Sequence, residues 1–149
     1  MTIEFTLEIH NKDNKLLPDI ILDYLYTGFN LERNKLSGIL SGKGYTINSF
    51  LDNDIYRESS FGSQNPDLIV SFIIDKFDDH EIGINNMIKT VMAIMQKLKE
   101  DMILLFDDDE ILLKRTSGNL VVNSDTDFWD TYSLSITDMP YKKKPIEML

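Results

Sequence analysis

The stretch that decides the fold is "MILLFDDDEILLKRTSGNLVVN", residues 102 to 123. It holds three apolar runs: Met102 to Phe106, Glu110 to Arg115, and Asn119 to Asn123. Each has the length and the β-branched or aliphatic content of a strand. The second and third are separated by "TSGN", a turn signal. The first and second are separated by acidic residues only, and so short a connection makes Asp107, Asp108, Asp109 and Glu110 a hairpin tip. Adjacent acids repel one another, and an exposed turn tolerates that best. The stretch therefore reads as a three-strand antiparallel ribbon with four acids at one tip.

Working outward, Ile3, Phe5, Leu7 and Ile9 alternate with Glu4, Thr6 and Glu8. That period of two predicts a strand with one buried and one wet face. Pro18 and Asp19 suit a helix start, and Gly28 suits its stop. The spacing of Leu17, Ile21, Leu25 and Phe29 predicts a helix from about Pro18 to Thr27. Leu36 to Leu40 and Tyr45 to Leu51 read as two strands joined by "SGKG". Residues 52 to 66 lack periodicity and read as a long surface loop. "DLIVSFIIDKF" follows, and Leu68, Val70, Phe72 and Ile74 with Ile69 and Ile73 make it the candidate central strand.

Asp78 or Asp79 is placed to cap the next helix, with Glu81 in its first turn. Ile84, Ile88, Val91, Met95 and Leu98 form its apolar stripe, so the helix runs from about His80 to Glu100. Its methionines read as core fillers. After the ribbon, "SDTDFWDTYSLSITDMPYKKKPIEML" holds a short helix or strand and then a solvated, extended tail over residues 140 to 149. The order of elements implies a single α+β domain over residues 1 to 149. Its mainly antiparallel sheet has about six to seven strands, with two helices packed on one face.

The chain has 149 residues, a formal net charge of −10 and a sequence pI near 4.5. Nucleic-acid binding draws most of its affinity from phosphate neutralisation by a basic face, so this balance excludes DNA, RNA and anionic membrane surfaces as expected partners. An acidic chain suits a basic partner, since opposite charge raises the rate of encounter. There is no cysteine, which removes disulfides, thiolate zinc sites and a cysteine nucleophile. "MTIEFTLEIH" is not a secretory leader, which needs basic residues and then a continuous apolar run. No apolar stretch approaches the ~20 residues that span a bilayer. The expected location is cytoplasmic.

Catalytic motifs fail on inspection. "GILSGKG", Gly38 to Gly44, has three residues where a phosphate loop has four, and Gly44 follows the lysine in place of Ser or Thr. "SSFGSQN", Ser59 to Asn65, lacks the glycine spacing of a nucleophile elbow. His10 and His80 are the only histidines and are far apart in sequence. "DKFDDHE", Asp75 to Glu81, gathers carboxylates and His80, which leaves open a small-ligand-binding domain or a metal-dependent hydrolase. The alternating acids and central glycine of a calcium loop are absent, and an acidic helix start accounts for the same residues. No cofactor is expected.

From Glu100 to Asp130 there are nine acidic and two basic residues, the most acidic part of the chain. Trp129, the only tryptophan, sits at its edge beside Phe128 and Tyr132. Aromatics beside charge anchor interfaces; large aromatics also plug cores, the commoner fate. The candidate partner-binding residues are Asp107, Asp108, Asp109, Glu110, Asp125, Asp127, Trp129 and Asp130.

"DKF" at Asp75 to Phe77, "NNMIKTVMAIMQKL", the ribbon pattern "LLF…E.LLKR..G.LVVN", Trp129 and the pair Pro140–Tyr141 together resemble the swarm-inhibition (Sit) type of bacterial toxin-immunity protein. The resemblance is strongest from Asp75 to Tyr141. Many relatives carry Asn-Gly before the glutamate that corresponds to Glu110, where Asp108 and Asp109 stand in this chain. The resemblance implies a non-enzymatic protein that binds and neutralises a cognate toxin made by the same bacterium. It carries over no toxin-binding residue.

Overall fold

The structure is a computed structural model, and it describes residues 2–53, 59–62, 65–77, 79–134 and 139–146. In chain order the elements are β1 (Thr2–Ile9), α1 (Pro18–Gly28), β2 (Glu32–Arg33), β3 (Leu40–Gly42) and β4 (Tyr45–Leu51). They continue with β5 (Leu68–Asp75), α2 (His80–Lys97), β6 (Met102–Phe106) and β7 (Glu110–Thr116). β8 (Asn119–Asn123), α3 (Phe128–Thr131) and β9 (Lys142–Lys144) complete the chain. The class is α+β, as the sequence implies. The described strands form one nine-stranded sheet in the order β2-β3-β4-β5-β1-β6-β7-β8-β9, antiparallel except for β8 with β9.

The ribbon at residues 102 to 123 forms as its apolar runs predict. β6 and β8 keep the expected bounds, and β7 extends one residue to Thr116. The two strands beyond the expected number are the short edges, β2 and β9, of two and three residues. Such short pieces carry too few side chains to show a period. The tail is correspondingly less free than expected: Lys142 to Lys144 pair with Val121 to Asn123.

The candidate central strand, β5, is interior as expected, paired with β4 on one side and with β1, the middle strand of the nine, on the other. Two expectations are corrected. Leu36 to Leu40 is mostly a turn. Asn34 Oδ1 accepts from the Leu36 and Ser37 amides at 2.9 and 3.0 Å, Gly38 takes φ +77°, and Leu36 is fully exposed. And of Glu4, Thr6 and Glu8, the β1 side chains expected to be wet, Thr6 and Glu8 are buried, Glu8 beneath the hydroxyl of Ser60, which donates to it. The loop expected over residues 52 to 66 thus lies partly on the sheet, although residues 54–58, 63 and 64 of it fall outside the described set.

One sheet face carries the main core. Phe5, Leu7 and Ile9 of β1, Phe72 and Ile74 of β5, and Leu104 of β6 pack there against Ile21 and Leu25 of α1 and Met87, Ile88 and Val91 of α2. Among the described residues the opposite face bears no helix. A smaller cluster of Ile103, Leu105 and Ile111 lies on it, covered by Phe61 and Ile146.

α2 sits where two glycines let backbone meet backbone. A Cβ on Gly83 would run into the Gly44 carbonyl oxygen, so the β3–β4 turn and the first turn of α2 touch directly. Asn86 Nδ2 donates to the Lys43 carbonyl at 3.1 Å in the same contact. Asp79 takes the expected N-cap position but in a left-handed conformation, φ 47°, without a side-chain cap bond; Asp78 lies outside the described residues. The helix ends at Lys97, three residues before the expected Glu100. Arg115 explains the stop. Its guanidinium donates to the carbonyls of Met95 (2.6 Å), Leu98 (2.7 Å) and Glu100 (2.8 Å), which takes the place of further helical N–H groups. Burial pushes its pKa down and the charges of Glu100 and Asp101 oppose that, yet a guanidinium stays protonated in proteins. Among the described residues no helix is long and apolar enough to cross a membrane.

Candidate partner-binding surface

The acidic tip is a tight turn in left-handed backbone. Asp107 and Asp108 have φ of 54° and 62°, and the Asp109 amide donates to the Phe106 carbonyl at 3.3 Å. Aspartate tolerates this region better than most residues, because its short polar side chain bonds locally. The tip is tied to the start of β1. The Asp107 amide donates to the Glu4 carbonyl at 3.1 Å, and Thr6 Oγ1 donates to Asp108 Oδ1 at 3.2 Å. Asp107, Asp108 and Asp109 are exposed, and Glu110 is half-buried.

Below the tip the β6–β7 ladder slips: Leu104 faces Leu113, but Leu105 faces Ile111. Leu112 is the extra residue, and such a bulge takes its carbonyl out of regular pairing. Trp129 Nε1 donates to that carbonyl at 2.8 Å, and Trp129 is 8% exposed. Asn123 Nδ2 donates to the Ile111 carbonyl at 2.7 Å. The indole is therefore inside the fold. Of the two fates the sequence allows Trp129, the structure shows the commoner one, a core plug that holds the bulge beneath the tip.

α3 closes over the same region. Phe128 lies 5.6 Å from Phe5, which lies 5.1 Å from Phe106; Phe128 also meets Trp129 at 4.7 Å and Tyr132 at 4.9 Å between ring centroids. Asp125, Asp127 and Asp130 flank this aromatic group and are exposed. The tip and the α3 acids, some twenty residues apart in sequence, thus border one aromatic cluster. Antiparallel order brings more acids to that end of the sheet. The start of β1 supplies Glu4, the end of β5 supplies Asp75, and the Gly44–Gly83 contact sets Asp79 and Glu81 beside them. Burial raises the Tyr132 pKa, and the charge of Glu81 raises it further. The result is an acidic rim drawn from five separate segments. That its α2 and β1 members meet the tip carries no signal in the sequence, because only the strand order brings them there.

The Asp75–Glu81 segment is part of this rim. Asp75 Oδ1 accepts from the Phe77 amide at 3.0 Å. His80 Nδ1 is buried with no hydrogen-bond partner among the described residues, and His10 stacks on Phe61 with 5.1 Å between centroids. Among the described residues no group of three or more His, Asp or Glu side chains is placed to hold a metal ion.

Fold and rim define a small α+β chain that presents one acidic end and a sheet with one face free of helices. The chain belongs to the SitI3-like family, whose model matches residues 13–133. That span reaches well before Asp75, where the sequence resemblance becomes strong, and stops short of Pro140–Tyr141. No curated protein and no solved structure matches the chain. The family suggests an immunity-protein function, with a toxin as the implied partner.

Proposed function

We propose that the chain is an immunity protein that binds a cognate protein toxin in the cytoplasm of the bacterium making both, and neutralises it by occupancy without catalysis of its own. The match to the SitI3-like family over residues 13–133 carries this reading. The net charge of −10 and the acidic rim support a basic toxin, such as a nuclease, because complementary potential speeds capture. In this reading Asp107 to Asp109, Asp125, Asp127 and Asp130 face the toxin, Glu110 shapes the tip, and Trp129 holds it from below. The test is co-expression with the reading frame beside this one. That frame alone should stop growth, and this protein should restore it. Growth that is unaffected by the neighbour, or still arrested when this protein is present, overturns the reading for that pair.

A further inference from the structure

The helix-free sheet face is half covered. Register runs a row across it: Val121, Lys114, Ile103, Glu8, Ile69, Phe50. Around β6 and β7 the chain covers its own apolar side chains with Phe61 and Ile146. Over β4 and the end of β5 the described residues leave them open. Phe50 is 45% exposed and Ile73 is 40% exposed. Between them Asn48 faces Ser71, and Thr46 and Glu4 flank Ile73 on either side. Four strand positions separate Phe50 from the level of Ile73, about 13 Å at the usual rise. Lone exposed apolar residues are ordinary, but a sheet face covered on one half and bare on the other calls for an occupant.

Charge decides which occupant. The bare half adjoins Glu4, and through the Thr6–Asp108 bond it adjoins the acidic tip. A second copy of this chain would bring the same acids against these, a like-charge contact that costs rather than stabilises. A basic protein surface meets both requirements. We infer that the bare half of the sheet, with Phe50 and Ile73 as its two apolar anchors and Glu4 and Asp108 at its border, docks a partner protein that presents two apolar side chains about 13 Å apart among Lys and Arg. This rests on the immunity reading for the partner's identity. The surface itself rests on the exposure and the register.

The experiment measures affinity by calorimetry for the purified product of the neighbouring reading frame. Phe50→Ala and Ile73→Ala should each weaken binding about tenfold or more, as buried interface anchors do. Their thermal midpoints should stay within about 2 °C of the parent, since surface truncations cost little. Lys142→Ala, on the far edge strand, should bind as the parent does. If both anchor variants bind within twofold of the parent, the surface is wrong and the immunity reading stands. If the parent itself fails to bind that product, the immunity reading fails for this pair, and a second probe decides the surface. An alternating Lys–Leu heptapeptide, titrated into the full chain, should shift the side-chain resonances of Phe50 and Ile73, and an alternating Glu–Leu peptide should not. Shifts centred elsewhere, none at all, or a dimer of this chain that Ile73→Ala disrupts would each overturn the proposal.

Discussion

Replacing Trp129 by Phe separates two roles that its sequence position allows. In the structure the indole N–H donates to the Leu112 carbonyl at 2.8 Å, inside the fold. Phe keeps most of the ring and removes the donor. The orphaned carbonyl costs about 1–3 kcal/mol, because a buried acceptor loses its partner without regaining water. The smaller ring leaves a void worth about 1 kcal/mol more. A total near 3 kcal/mol, at about 2–4 °C per kcal/mol for a chain of this size, lowers the thermal midpoint by about 8 °C. Circular dichroism reads this directly. In the parent, Trp129 is the only tryptophan, so its emission should be that of a buried indole and resist iodide quenching. Toxin affinity, measured well below either midpoint, should change less than about threefold, whereas an interface tryptophan costs about 2 kcal/mol or more, near thirtyfold. A midpoint within 2 °C of the parent, together with a thirtyfold loss of binding, would refute the placement of Trp129 as a plug.

The other predictions address the frame around the rim. Gly83→Ala should destabilise the chain by about 3 kcal/mol, since the new Cβ meets backbone of the Gly44 turn and neither segment can yield cheaply; urea unfolding checks it, and a change under 1 kcal/mol would count against the contact. Arg115→Ala should cost about 3–5 kcal/mol, because it strips donors from three carbonyls at the end of α2, and hydrogen exchange in the last turn of that helix should rise in step. Tyr45 is buried and donates to or accepts from Thr90 at 3.1 Å; burial raises its pKa above 10.0 and outweighs the opposing hydrogen bond. Its contribution is therefore full below pH 10 and is lost as pH rises through the raised folded value, so Tyr45→Phe should flatten the alkaline fall in thermal midpoint; an identical fall in both proteins contradicts this. Lysine at Asp107, Asp108 and Asp109 together should slow association with a basic toxin at least tenfold at low salt, by stopped-flow mixing, and an unchanged rate would move the interface off the tip.

What was legible in the sequence follows the physics of local order. The ribbon at residues 102 to 123 could be read because its runs are apolar, of strand length and joined by strong turn signals, and α1 and α2 could be read because each has a stripe of spacing three and four. Leu36 misled, since an apolar residue in a short window mimics a strand, and the deciding interaction was the Asn34 side chain folding back on two amides. Glu8 misled in the opposite sense. Alternation places it on the polar face of β1, but a segment more than fifty residues later covers that face. Arg115 carried a faint signal. It shares a face with Leu113, so period two alone would place a cation in the core, and its purpose shows only once the end of α2 is seen against it. Of the candidate site, the tip acids and the α3 acids were visible as composition. Their meeting with Glu4, Asp75 and Glu81 was not, because strand order is set by long-range pairing.

An acidic end could arise without a partner. Acids favour turns and helix starts, and Asp79 and Glu81 sit at the positive end of α2, where they stabilise the helix. The same account does not extend to the tip, which has no helix dipole, or to α3, whose four residues make almost none. There, beyond the hydrogen bond that Asp108 accepts from Thr6, neighbouring like charges repel, and that repulsion opposes the compact state. Salt screens it, so added salt should stabilise the free chain. Salt also screens attraction to a basic partner, so it should slow capture. A rim kept for solubility alone gives the first effect and not the second. The two together identify charge retained against stability, and the bare sheet half beside it supplies the apolar contact that fast encounter by itself cannot.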